Sequence, residues 1–118
     1  MPFYARVNDA IGRANSALNQ LYSYNSFAHP RSEPNNRIRN NARVTIDPAY
    51  YELQTGVREG RWEGVSGGNA REALRASELI RRATYDLSDQ PNSGRPANIP
   101  MAQRNIREAI DLLHRARW

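Results

Sequence analysis

The chain contains no cysteine and no lysine. Without cysteine there is no disulfide framework, no thiolate zinc site and no cysteine nucleophile. Without lysine there is no P-loop, no Schiff-base amine and no catalytic lysine. Histidine occurs only as His29 and His114, too few for a histidine-rich metal site. No run of about 18 apolar residues is present, so no segment is expected to span a membrane. The opening MPFYARVNDAIGR lacks the charged start and apolar run of a secretory signal, which makes a cytoplasmic location the expectation. Large aliphatic and phenyl side chains are sparse, 21 of 118 residues. A core this thin is expected to need a partner or a second copy of the chain, so a homo-oligomer or a complex is anticipated.

What fills the chain instead is arginine and alanine. All 17 basic residues are arginine, set against 12 acids for a net charge of +5. Every cation is therefore a planar fork suited to phosphate, carboxylate or an aromatic face. At this length one helical domain over residues 1–118 is expected.

The periodicity predicts an all-α, small antiparallel bundle of three main helices and one short helix, with two long polar loops. Residues 3–22 carry an apolar stripe at spacings of four and three: Phe3, Val7, Ala10, Ala14, Ala17 and Leu21. Residues 23–41 are rich in asparagine and hold Pro30 and Pro34, and they read as a loop. The β-branched run 42–46, ARVTI, reads as one short strand. Asp47-Pro48 resembles a helix start, with Tyr50, Leu53 and Val57 on the inner face of a short helix weakened by Gly56 and Gly60. After the turn 64–68, Asn69 is expected to cap a helix over about 70–87. Residues 88–99 read as a second polar loop, and a last helix runs from about Pro100 to the end.

Two segments carry candidate anion chemistry. In the first, Arg31, Arg37, Arg39 and Arg43 stand against Glu33 alone, interleaved with asparagines that include Asn36 and Asn40. Arginine neutralises phosphates and asparagine hydrogen-bonds base edges, so this mixture suits nucleic acid or an acidic protein surface. In the second, the turn holding Gly67 and Gly68 opens onto a helix, with Arg61 and Arg71 nearby. Backbone N–H groups at such a start suit an anion. No Ser-His-Asp set or metal-binding helix motif is present. A non-enzymatic binding or assembly module without cofactor or metal is therefore the expectation.

Two short motifs resemble known families. Arg107 and His114 are separated by six residues on the last helix, which resembles the arginine–histidine signature of HEPN-type ribonucleases. That resemblance implies RNA cleavage by the pair at a dimer interface. Trp62-Glu63-Gly64 is similar to the turn of the WXG-type secreted helical hairpins. Tyr85 with Asp89 fits the export spacing of that system. This second resemblance implies an exported helical interaction protein.

Overall fold

A computed structural model describes residues 2–88 and 96–117. Four helices follow one another: α1 (Phe3–Leu21), α2 (Glu33–Glu63), α3 (Gly67–Asp86) and α4 (Ile99–Arg115). No strand occurs among the described residues. Each helix packs on its neighbours in sequence, and α1 closes the ring against α4. The directions alternate. Phe3 N donates to Glu63 Oε2 at the start of α1, whereas Gln20 Nε2 near its end reaches Thr45 Oγ1 in mid-α2. Arg39 reaches the carbonyl of Leu87 while Gln54 reaches Ser77, so α3 runs back along α2. The anticipated antiparallel all-α bundle is what the chain forms.

The seams explain the packing. The buried stripe of α1 is the one read from sequence, Phe3 to Leu21 at spacings of four and three. In α3 the seam runs Asn69, Ala73, Ala76, Ile80, Ala83, and in α4 it holds Ile99, Ala102, Ile106, Ala109 and Leu113. Spacing of this kind aligns helices at shallow angles, with i±3 ridges of one lying in i±4 grooves of the next. Eleven of the twenty-four buried apolar residues among those described are alanine, so the backbones approach closely.

The second helix departs from the sequence reading. Residues 33–63 form one unbroken helix of 31 residues, the longest in the bundle. The expected strand over 42–46 and the late helix start at Asp47-Pro48 are both replaced by it, and so is the second half of the loop expected over 23–41. Ala42, Ile46, Ala49 and Leu53 bury the centre of its seam. Asn35 and Arg39 continue the same spacing before them, and Gly56 and Gly60 after. Pro48 sits inside the helix, where it removes one hydrogen bond and crowds the preceding turn at a cost of about 3 kcal/mol. The missing donor would have served Val44, whose side chain lies 65% exposed on the wet face, where water can meet a freed carbonyl. Burial on both sides of Pro48 outweighs what remains. The β-branched run is divided between faces: Ile46 is fully buried, while Thr45 Oγ1 donates back to the Asn41 carbonyl.

The ends of the helices are tied locally. Gly64 closes α2 in the left-handed region (φ 75), and the N–H groups of Gly64 and Val65 both reach the Gly60 carbonyl. A residue with a Cβ at Gly64 would be strained there. Ser66, not Asn69, caps α3: its Oγ accepts from Asn69 N at 3.1 Å. Asn69 lies one turn in and donates instead to the Tyr4 hydroxyl at 2.9 Å. Asn98 Oδ1 caps α4 through Met101 N. Most of the loop read over 88–99 lies outside the described residues, as do Asp89 and Trp118.

Candidate anion-binding groove

On α2, Arg43, Asp47, Tyr50 and Tyr51 recur at offsets of zero, four, seven and eight, which sets them on one helical face. On α3, Arg81, Arg82 and Tyr85 share the opposing face by the same rule, and Ser88 follows just past the helix end. Antiparallel packing brings the two faces together along an open groove of about 430 Å³. It is lined by Arg43, Asp47, Arg81, Arg82, Thr84, Tyr85 and Ser88. Among the described lining residues, three guanidinium groups face one carboxylate.

Neighbouring tyrosines organise the cations. The Arg81 guanidinium lies 4.7 Å from the centroid of the Tyr50 ring and donates to the Tyr51 hydroxyl at 3.5 Å. Tyr50 and Tyr51 meet edge to face at 5.1 Å. The Tyr51 hydroxyl raises the Arg81 pKa above its ordinary value, with Asp47 adding to the same effect. Tyr51 and Tyr85 remain more than half exposed, at 57% and 55%. Arg43 and Arg82 have no carboxylate partner among the described residues. The groove thus offers guanidinium N–H groups, hydroxyls and aromatic faces together.

The residues singled out from sequence are dispersed by the structure. Of the first set only Arg43 lines the groove. Arg39 is 7% exposed: Nη1 donates to the Leu87 carbonyl at 2.7 Å, and Nη2 to Asn36 Oδ1 at 3.0 Å. It closes the end of α3 from across the bundle. Asn36 also donates to the Arg31 carbonyl, and Arg37 pairs with Glu33 one turn away on α2. Asn40 is exposed on α2, and Arg31 lies in the loop before it. Of the second set, Gly67 and Gly68 form the first turn of α3, where Ser66 already serves the Asn69 N–H. Arg71 reaches back towards Gly67, and Arg61 is exposed near the end of α2.

Sequence reading missed Arg81, Arg82 and Tyr51, and it marked Tyr85 only for its export spacing. The signal was present as two doublets, Tyr50-Tyr51 and Arg81-Arg82, on helices joined by a short turn. Offsets within a helix find each doublet's face, but only the pairing of α2 with α3 sets the faces opposite one another.

Other candidates are arranged differently. Arg107 and His114 are both exposed on α4. Arg107 lies 6.0 Å from the Tyr22 ring centroid, and His114 Nδ1 lies 3.4 Å from Arg117 Nη1. Between α1 and α2, Arg13 Nε donates to Asp9 Oδ2 at 3.0 Å and lies 3.9 Å from Glu52 Oε2. Burial, together with the adjacent Asp9 carboxylate, pushes the Glu52 carboxyl up to about 7, while the hydrogen bond from Glu52 lowers Asp9. A cleft of about 350 Å³ at the loop end, between Tyr22, Tyr24, Pro30 and Pro100, is lined by no charged side chain among the described residues. No group of three metal-ligating side chains occurs among the described residues, and no described helix is long and apolar enough to cross a membrane. No protein-family model, curated protein or solved structure matches this chain, which leaves the chemistry of the groove as the guide to function.

Proposed function

We propose that the protein is a non-enzymatic binding module that holds an anionic partner in the α2–α3 groove. The observation that carries this reading is the convergence of Arg43, Arg81 and Arg82 from two helices on one concave surface. Such clusters focus field and favour phosphate or carboxylate ligands. Rigid helices hold the cluster, so little ordering is needed at the moment of binding.

The test is salt-dependent binding of fluorescently labelled nucleic acid. Each phosphate neutralised adds about 0.7–0.9 to the steepness of log affinity against log salt. Replacing Arg43, Arg81 and Arg82 with alanine is expected to flatten that slope by roughly 2–3. Replacing Arg104, Arg107 and Arg115 on α4 should leave it nearly unchanged. Arg39→Ala should lower the melting temperature, because the Leu87 carbonyl loses its donor at a cost of about 1–3 kcal/mol, yet leave the slope alone. If the α4 variant loses binding and the groove variant keeps it, the groove is the wrong surface.

A second reading is favoured by one observation. The α2–α3 hairpin is unbroken, and Trp62-Glu63-Gly64 lies at its tip with Trp62 86% exposed. An exported helical interaction protein of the WXG type is built on such a hairpin. Recovery of the chain from culture medium, lost on Tyr85→Ala, supports this reading; retention of the wild type in cells removes it.

A further inference from the structure

We infer that the partner of the α2–α3 groove is a single-stranded nucleic acid, held by stacking of its bases as well as by its phosphates. The inference rests on the anion-binding reading and adds the aromatic half of the same surface. Exposed tyrosine rings contribute nothing to a bare polyanion and little to an acidic peptide. They gain from a ligand that brings flat π-faces alongside its charges. Single strands do this, because their bases are free to leave the stack, whereas a duplex keeps its base faces covered.

Three features of the groove and of the tyrosines that contact its Arg81 fit that ligand. Tyr51 is 57% exposed beside the arginines, and its ring is braced edge to face by Tyr50. The Arg81 guanidinium is laid over the Tyr50 ring on one side, and the residue remains exposed. Its outer face is a second platform on which a base can stack. Arg43 and Arg82 then lie along the groove for the phosphates that follow. Asp47 is the one opposing charge among the described lining residues. It sits among these arginines, and its field acts on Arg81. Asp47→Asn should therefore tighten binding to any of the anions.

The experiment compares four probes by fluorescence anisotropy at low salt. They are a labelled single strand of roughly ten nucleotides, the duplex of the same sequence, polyphosphate and poly-glutamate. The single strand is expected to bind at least tenfold more tightly than the other three. Tyr51→Ala should weaken single-strand binding by about tenfold or more and barely alter polyphosphate binding, while Tyr51→Phe keeps most of the affinity. Circular dichroism and melting of each variant separate a lost stack from a lost fold. Equal affinity for single strand and duplex overturns the inference, as does a Tyr51→Ala variant that binds as the wild type does. In both cases a flattened salt slope in the arginine variant leaves the anion-binding reading standing. Tightest binding to poly-glutamate assigns the groove to an acidic protein instead. If the arginine variant binds every probe as the wild type does, the parent reading fails with it.

Discussion

Phe3→Ala is expected to destabilise the fold by about 3–5 kcal/mol, the range for truncating a fully buried phenylalanine. At this chain length that corresponds to a fall in melting temperature of roughly 12–20 °C. The size follows from where the ring lies. Phe3 packs at the start of α1 against the glycine-flattened face of α2. Its Cδ2 is 3.5 Å from the ideal Cβ position of Gly56 and 3.7 Å from that of Gly60. Neither glycine has a side chain to move into the space. The glycines cannot readily be enlarged to compensate. A Cβ at Gly60 would stand 3.1 Å from Val65 Cγ2, and one at Gly56 would stand 3.0 Å from Arg6 Cδ. Phe27 is the control, since it is entirely exposed and its truncation should cost less than about 0.5 kcal/mol. Thermal melts of the two variants decide the matter: a Phe3→Ala protein that melts within a few degrees of wild type rules out this packing.

Stability is expected to fall as pH rises from about 4.5 to 7, and Glu52→Gln should remove most of that fall. Glu52 is held between α1 and α2 beside Asp9, with Arg13 near both and Arg6 adding a weaker attraction. Burial and the neighbouring carboxylate favour its protonated form, so its folded pKa of about 7 lies well above the ordinary 4.5 of a glutamate. A raised carboxyl contributes stability in full below its unfolded pKa, and that contribution is lost as pH climbs through the folded one. Asp9 has the opposite sign. Its lowered pKa contributes above 3.8 and is lost as pH falls through its folded value. The pair is therefore most favourable between those limits, on the acidic side of neutrality. The Glu52 contribution is at most about 3 kcal/mol, and with Asp9 open to water closer to 1. Glutamine keeps the shape of the protonated acid and a donor for Asp9. The variant should match wild type near pH 4 and exceed it at pH 8. Parallel melting curves for the two proteins across this range would contradict the assignment.

Much of the fold is legible where the seam is written in apolar residues. The stripe of α1 can be read residue by residue, and the starts and ends of α3 and α4 fall within a few positions of their signals. In α2 the same spacing of four and three persists over the whole helix, but it is filled by asparagine, arginine and glycine at both ends. A count of hydrophobic residues sees only its centre. Asn35 is inside because it bridges the loop, accepting from Asn25 N and donating to the carbonyls of Asn25 and His29. Arg39 is inside because it closes α3. Neither partner is near in the pattern of a helix, so local sequence gives the wrong sign for both. Asp47-Pro48 adds a true local signal for a helix start that tertiary packing overrides. The groove was half legible for a related reason: Arg43 belongs to a visible run of charge, whereas Arg81 and Arg82 gain meaning only from α2 across the seam.

The ring of neighbouring helices also bears on how quickly the chain finds its fold. Each of the contacts α1 to α2, α2 to α3 and α3 to α4 joins segments adjacent in sequence, and only the closure of α1 on α4 spans the whole chain. Loops that short cost little entropy to close, and the cost grows only slowly with length. Topologies of this kind reach the native state in microseconds to milliseconds. The α1–α4 seam is then the last to gain from assembly. It is also the first place where a nascent chain, lacking α4, presents the alanine stripe of α1 to its surroundings.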